Sequence, residues 1–187
     1  MTFNNDLEYS LERIEDLDRI YMEYFGVPLE GINHITDMGL QRVGIDTILT
    51  LPTGQPIRVQ EKKRRPMPYL DGRDILIEYC SREQNGKCNA TGWIYTCSSD
   101  HIAVIYELNL KVFILPVAQL KKAWAIYGEQ WKKEHRRIKT RAELNNGYFT
   151  LGVAVPTKIL LDAIRGVMVC DKNGVPEVQK TLFGASA

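Results

Sequence analysis

The chain has 187 residues, of which 44% are hydrophobic and 25% are charged, and this composition excludes a fibrous protein and a fully disordered one. Its net charge of +1 does not by itself indicate a nucleic-acid partner. No apolar run approaches the ~20 residues of a membrane span, and the N-terminus lacks a signal-peptide pattern. We therefore expect one cytoplasmic domain at residues 1–170 with no membrane partner, followed by a tail at residues 171–187 with few core signals.

Apolar residues recur at helical spacing over residues 7–25, which predicts an amphipathic helix that ends at Gly26. One face of this helix should pack on a core. The opposite face is acidic and includes Glu8, Glu12 and Glu15.

Two β-rich runs follow, at residues 44–51 and 57–63, and a short segment rich in proline and glycine separates them. Two such runs around a short turn predict a β-hairpin.

The rest of the chain alternates between strand patterns and helical patterns. Strands are predicted at residues 74–79, 93–97, 102–107, 111–115 and 148–155, and helices at residues 118–137 and 157–164. Residues 86–92 are typical of a polar loop. This order favours an α/β fold in which a mixed central sheet is flanked by helices.

Four cysteines, at positions 80, 88, 97 and 170, are too few for a disulfide scaffold in a chain of this size, and we expect them to stay reduced. A zinc site formed by Cys80, Cys88, Cys97 and His101 is disfavoured. Only Cys97 and His101 approach the ligand spacing of structural zinc sites.

The predicted hairpin brings together residues that suit metal-dependent chemistry. Side chains alternate along a strand, so Glu61 and Lys63 point to the same face. Asp46 lies eight residues before Gly54 and Glu61 seven after it, so antiparallel pairing sets them side by side to within about one position. Two carboxylates and an ammonium group suit phosphodiester hydrolysis, because hard oxygen ligands hold Mg²⁺ or Mn²⁺ and a lysine stabilises the developing charge.

The pattern resembles the motif of the PD-(D/E)xK nuclease superfamily, in which an aspartate on one strand is followed across a hairpin by Glu/Asp-x-Lys. The matching residues are Asp46 and Glu61-Lys62-Lys63, and Ile45 stands where the motif has proline. The resemblance covers residues 7–107 and implies a restriction-endonuclease-like fold. It also implies an Mg²⁺- or Mn²⁺-dependent deoxyribonuclease, an endo- or exonuclease, in which Asp46 and Glu61 bind the metal and Lys63 is catalytic.

Many members of that superfamily add a glutamate from the first helix, and Glu8, Glu12 and Glu15 are equal candidates for this role. If such an enzyme cuts both strands of DNA symmetrically, a homodimer is expected.

Two other interpretations stay open. One is a non-catalytic module that binds nucleic acid or protein on the same fold, encoded by a phage or mobile element; such a descendant is expected to lose at least one of the three residues. The other is a structural or interaction protein in which the motif is accidental and the charges of a solvated hairpin only keep a strand soluble. Glu61 follows Ile57 and Val59 on the predicted core face, where unpaired charges are costly, and this favours a functional site.

Several further residues are candidates for supporting roles, although each has a commoner structural explanation. Asp37, Gln41 and Arg42 lie upstream of the motif, and Glu78 lies on the third predicted strand. Candidates for contacts with flanking phosphates are Arg64, Arg65 and the basic residues within 132–141. Candidates for base stacking are Trp93, Trp124 and Trp131.

Overall fold

The computed structural model describes residues 14–64, 72–106, 111–139, 147–164, 168–170 and 176–177. Within these residues the helices are α1 (Ile14–Phe25), α2 (Met38–Arg42), α3 (Trp93–Thr96), α4 (Val117–Glu134) and α5 (Thr157–Ala163). The strands are β1 (Ile32–His34), β2 (Thr47–Thr50), β3 (Pro56–Arg64), β4 (Asp74–Gln84), β5 (Lys87–Thr91), β6 (His101–Tyr106), β7 (Lys111–Pro116), β8 (Arg136–Lys139), β9 (Phe149–Pro156), β10 (Met168–Cys170) and β11 (Pro176–Glu177).

The strands form two sheets. The larger has the order β1-β2-β3-β6-β7-β10-β11 and is mixed, because β3 and β6 run parallel while its other neighbours run antiparallel. The smaller sheet is antiparallel, with the order β5-β4-β9-β8. The predicted α/β class and mixed sheet are therefore confirmed, whereas the sequence did not indicate a second sheet.

The larger sheet is buried on both faces at its centre. On β6 and β7, alternate residues contribute to two hydrophobic cores. Ala103 and Ile114 belong to the core beneath α1, while Val104 and Leu115 belong to the core shared with the smaller sheet and the helices α3, α4 and α5. Burial on both faces explains why these two strands are almost continuously apolar.

Helix α1 covers the first of these cores. Leu17, Ile20 and Tyr21 are buried there at helical spacing, and the helix ends before Gly26, whose φ of +66° suits glycine. The predicted end of the helix is thus confirmed, while residues 7–13 lie outside the described part of the chain.

The predicted hairpin is formed by β2 and β3, which pair from Thr47↔Val59 to Thr50↔Pro56. Gly54 adopts a φ of +82° in the connecting turn, a conformation that glycine adopts without steric cost. The chain therefore reverses where the sequence indicated, and the end of β3 lies beside the beginning of β2.

Three local predictions after the hairpin were wrong. Residues 93–96 form the helix α3 instead of a strand, and residues 87–91 form β5 instead of a loop. The turn before β5 is Asn85-Gly86, with positive φ at both residues, which is a strong hairpin signal. The helix α4 ends at Glu134, so the basic residues 136–139 belong to the edge strand β8 and do not extend the helix.

The expectation that all cysteines stay reduced was also wrong, because Cys80 and Cys88 form a disulfide. The β4–β5 hairpin brings their Cα atoms to 5.9 Å, within the usual range for a disulfide. Cys97 is a buried free thiol.

Within the described residues, no helix is both long and apolar enough to cross a membrane.

Candidate active site

Asp46 lies immediately before β2, and its position depends on a tight local backbone. Gly44 has a φ of +78°, and a Cβ there would lie only 2.6 Å from Nε2 of the buried Gln60. The Asp46 N–H then donates to the carbonyl oxygen of Val59 at 2.9 Å. Glycine at position 44 is therefore needed for the chain to enter β2 beside β3.

Asp46 contacts Glu61 through the backbone of β3. Asp46 Oδ2 accepts a hydrogen bond of 2.7 Å from the Glu61 N–H. Continuing the register of the hairpin places Asp46 opposite Gln60, so it is offset by one residue from Glu61. The predicted proximity of the two acids is confirmed to within that one position.

The Glu61 side chain is anchored on the face of the sheet that α1 covers. Its Oε1 accepts hydrogen bonds from the Thr47 hydroxyl at 2.7 Å and the Tyr21 hydroxyl at 3.1 Å. Both donors are fully buried, at 0% exposure. Burial is the main cause that raises the pKa of Tyr21 well above its usual value, and the negative charge of Glu61 adds to this shift. The phenol therefore remains a hydrogen-bond donor at neutral pH.

A line of polar side chains continues from Glu61 to α1, and we call it the polar chain: Asp18, His34, Thr47 and Glu61. Thr47 Oγ1 lies 3.1 Å from His34 Nδ1, and His34 Nε2 lies 2.8 Å from Asp18 Oδ1. Pairing of β1 with β2 sets His34 directly opposite Thr47. The helix α1 and the strands β1 and β2 thus all help to hold the Glu61 carboxylate, which is itself on β3.

The two lysines after Glu61 point to opposite faces of the sheet. Glu61 and Lys63 pair with Ala103 and Ile105, which face α1, so the predicted shared face agrees with the register. Lys62 points to the other face, beside the smaller sheet. Burial lowers the pKa of Lys62, and the charges of Asp46 and Glu78 oppose that shift.

Burial is also the largest influence on Asp46, whose pKa it raises. The hydrogen bond from the Glu61 N–H and the charges of Lys62 and Lys63 act in the opposite direction. The Asp46 carboxylate is therefore held where its negative charge is incompletely compensated, which is the electrostatic condition that favours a bound cation.

The donor set suits a hard divalent cation. Each acid is anchored through one oxygen, and the second oxygens, Asp46 Oδ1 and Glu61 Oε2, accept no hydrogen bond from the described residues. The described part of the chain contains no group of three or more His, Cys, Asp or Glu side chains that could hold a metal ion. Two carboxylates nevertheless fit Mg²⁺, which keeps several waters and takes further oxygens from substrate phosphates.

Most of the other candidate residues have structural roles. Asp37 caps α2 by accepting from the Leu40 N–H at 2.9 Å, and Gln41 donates to the carbonyl oxygen of Ile35. Arg64 is half-buried, and its guanidinium donates to the carbonyl oxygen of Leu76 on β4. A contact of Arg64 with a flanking phosphate stays a prediction. The three tryptophans, Trp93, Trp124 and Trp131, lie in the core shared by the two sheets.

Glu78 accepts a hydrogen bond from Ser81, and its charge acts on Lys62 from the facing strand β4. The basic strand β8 lies at the edge of the smaller sheet, whereas β2 and β3, which position the two acids, belong to the larger sheet. Arg65, Glu8 and Glu12 lie outside the described residues, as does the Glu15 side chain.

Sequence reasoning missed four residues of the site: Asp18, Tyr21, His34 and Thr47. Tyr21 falls within the apolar helical pattern of residues 7–25, although Asp18 lies three positions before it on the same helical face. His34 can be recognised as part of the site only once the three-residue strand β1 is paired with β2.

Comparisons with protein-family models, curated proteins and solved structures gave no match.

Proposed function

We propose that this protein is an Mg²⁺- or Mn²⁺-dependent nuclease that hydrolyses phosphodiester bonds in DNA, on a restriction-endonuclease-like fold. Asp46 and Glu61 hold the metal, and Lys63 assists catalysis. The observation that carries this proposal is the direct link between the two acids, in which Asp46 Oδ2 accepts the Glu61 N–H at 2.7 Å.

The electrostatics of the two acids support the proposal. Burial raises the pKa of Asp46, so the folded protein holds a carboxylate at a stability cost that a bound cation would offset. Glu61 is restrained by two buried hydroxyl groups. Pre-organised ligands of this kind are typical of metal sites that serve catalysis.

The residues divide the chemistry between them. When bound, a divalent cation would acidify a water molecule and neutralise the phosphate charge. Thr47 and Tyr21 fix one oxygen of Glu61, and the backbone of β3 fixes one oxygen of Asp46. Lys63 lies on the same face as Glu61, where an ammonium group stabilises negative charge that develops on a phosphate.

A cleavage assay tests the proposal. The protein and its Lys63→Ala variant are incubated with linear, circular, single-stranded and branched DNA, with and without Mn²⁺. We expect metal-dependent cleavage that falls by about 100-fold or more in the variant, the scale seen when a group that stabilises transition-state charge is removed. Lys133→Ala, which removes an exposed lysine of α4, is the matched control and should keep full activity.

The other outcomes separate the alternatives. Equal cleavage by the protein and Lys63→Ala overturns the role of Lys63. DNA binding without cleavage under any metal supports the non-catalytic binding module. If both strands are cut symmetrically, size-exclusion chromatography should show the homodimer that two coordinated sites require.

A further inference from the structure

The direction of each hydrogen bond in the polar chain follows from the chemistry of its groups. An ionised carboxylate only accepts, so Thr47 gives its single hydroxyl proton to Glu61 Oε1. Thr47 can then only accept from His34, whose Nδ1 must carry a hydrogen. The other ring nitrogen, Nε2, faces the Asp18 carboxylate at 2.8 Å and must carry one too.

We infer that His34 is held as the doubly protonated imidazolium and that it is a positioning residue for Glu61, acting through Thr47. The charge state rests on hydrogen-bond geometry alone. Its consequence for metal binding rests on the proposed function.

The groups that face His34 support this assignment. Asp18 comes from α1 and Thr47 from β2, and beyond Thr47 lies Glu61 on β3, which also accepts from Tyr21 of α1. An imidazolium therefore lies between two acids. A neutral ring protonated only at Nε2 would draw the Thr47 proton to Nδ1 and leave Glu61 Oε1 with Tyr21 as its single donor.

The surroundings of His101 are different, and this residue provides an internal reference. Burial lowers its pKa, and its Nδ1 has no hydrogen-bond partner among the described residues. We expect a neutral ring. Since the chain has only three histidines, the ring signals of His34, His101 and His135 can be assigned by single substitutions.

The first measurement is the ¹⁵N NMR spectrum of the histidine rings at neutral pH without metal. We expect both nitrogens of His34 to be protonated and only one nitrogen of His101. In Thr47→Val, which removes the acceptor of Nδ1, we expect only one nitrogen of His34 to be protonated. A His34 ring that is neutral and protonated at Nε2 would overturn the inference.

The second measurement is Mn²⁺ affinity by calorimetry for His34→Phe, Thr47→Val and the double variant. We expect each single variant to bind Mn²⁺ about tenfold more weakly than the unmodified protein. This is the lower end of the loss of metal affinity seen when a group that orients a metal ligand is removed. The double variant should bind no more weakly than Thr47→Val, because His34 acts only through Thr47. Thr47→Ser should restore the affinity, and His135→Phe should leave it unchanged.

Additive losses in the double variant would show that His34 acts independently of Thr47 and would overturn its positioning role. If the unmodified protein neither binds Mn²⁺ nor cleaves DNA, the proposed function fails. The NMR spectra of the protein and Thr47→Val still decide the charge state of His34 and its dependence on Thr47, so the two failures are distinguishable.

Discussion

At the scale of single residues, the two acids are held by different means. Glu61 receives hydrogen bonds from two fully buried hydroxyl groups, whereas Asp46 receives one from a backbone N–H and its negative charge remains incompletely compensated. A group that is retained where its charge reduces stability is typical of functional sites, because selection there favours activity over stability. Asp46 is therefore the residue whose removal should stabilise the protein.

We expect Asp46→Asn to raise the melting temperature of the metal-free protein at neutral pH. Burial raises the folded-state pKa of Asp46, so the folded form binds the proton more tightly than the unfolded form. Stability therefore falls as pH rises from the unfolded pKa through the folded one and stays lower above it. Asparagine keeps an acceptor for the Glu61 N–H, and the difference between variant and protein should disappear at pH values below this window.

The control for this experiment is Asp100→Asn, which should have the opposite sign. Its hydrogen bonds with Arg58 lower the pKa of Asp100, so its contribution is present above the unfolded pKa and is lost as pH falls through the folded one. Thermal unfolding as a function of pH checks both variants. A lower melting temperature for Asp46→Asn at neutral pH would contradict the assignment of Asp46 as an under-compensated charge.

At the scale of elements, the sequence predicted what depends on local patterns. The helix that ends at Gly26 and the turn at Gly54 have strong local signals, and so the predicted hairpin that brings Asp46 close to Glu61 was correct. The polar chain was not predictable in this way. It requires a three-residue strand to pair His34 with Thr47 and a helix to deliver Asp18 from elsewhere in the chain, and short apolar periodicity carries no information about such pairings.

Packing of α1 should determine whether the site forms, because this helix carries Asp18 and Tyr21. We expect Leu17→Ala to lower the free energy of unfolding by about 2–5 kcal/mol, since Leu17 is only 2% exposed and truncation leaves a cavity. Met22→Ala, at 39% exposure on the same helix, is the control and should change it by about 0.5 kcal/mol or less. Denaturant unfolding measures both; equal effects would contradict the packing of α1 on the sheet.

The disulfide between Cys80 and Cys88 should stabilise the β4–β5 hairpin only moderately. A loop closed over a sequence separation of 8 residues corresponds to about 2.5 kcal/mol in the chain-entropy model. We expect Cys88→Ser to lower the free energy of unfolding by no more than this, because Cys88 is exposed and its side chain contributes little packing. Mass spectrometry after thiol alkylation should show Cys80 linked to Cys88 in the oxidised protein, and alkylation of both of these cysteines would contradict the disulfide.

At the scale of the whole molecule, the second sheet was the main feature that the sequence did not indicate. Its strands come from distant parts of the chain, since β4 begins at Asp74 and β9 ends at Pro156. An apolar strand does not show which sheet it will join. Residues 102–106 and 112–115 are apolar at nearly every position. This pattern is the signal in the sequence that both faces of β6 and β7 are covered.

This two-sided sheet makes the single domain predicted for residues 1–170 testable, because both hydrophobic cores depend on the same strands. Ile114 and Leu115 are adjacent on β7 and both 0% exposed, yet Ile114 lies in the core beneath α1 and Leu115 in the core shared with the smaller sheet. We expect Ile114→Ala and Leu115→Ala each to lower the free energy of unfolding by about 2–5 kcal/mol. Each should shift one cooperative transition, measured by calorimetry and by tryptophan fluorescence, because all three tryptophans lie in only one of the two cores. If Ile114→Ala instead produced a separate early transition without a change in fluorescence, the two cores would be independent units.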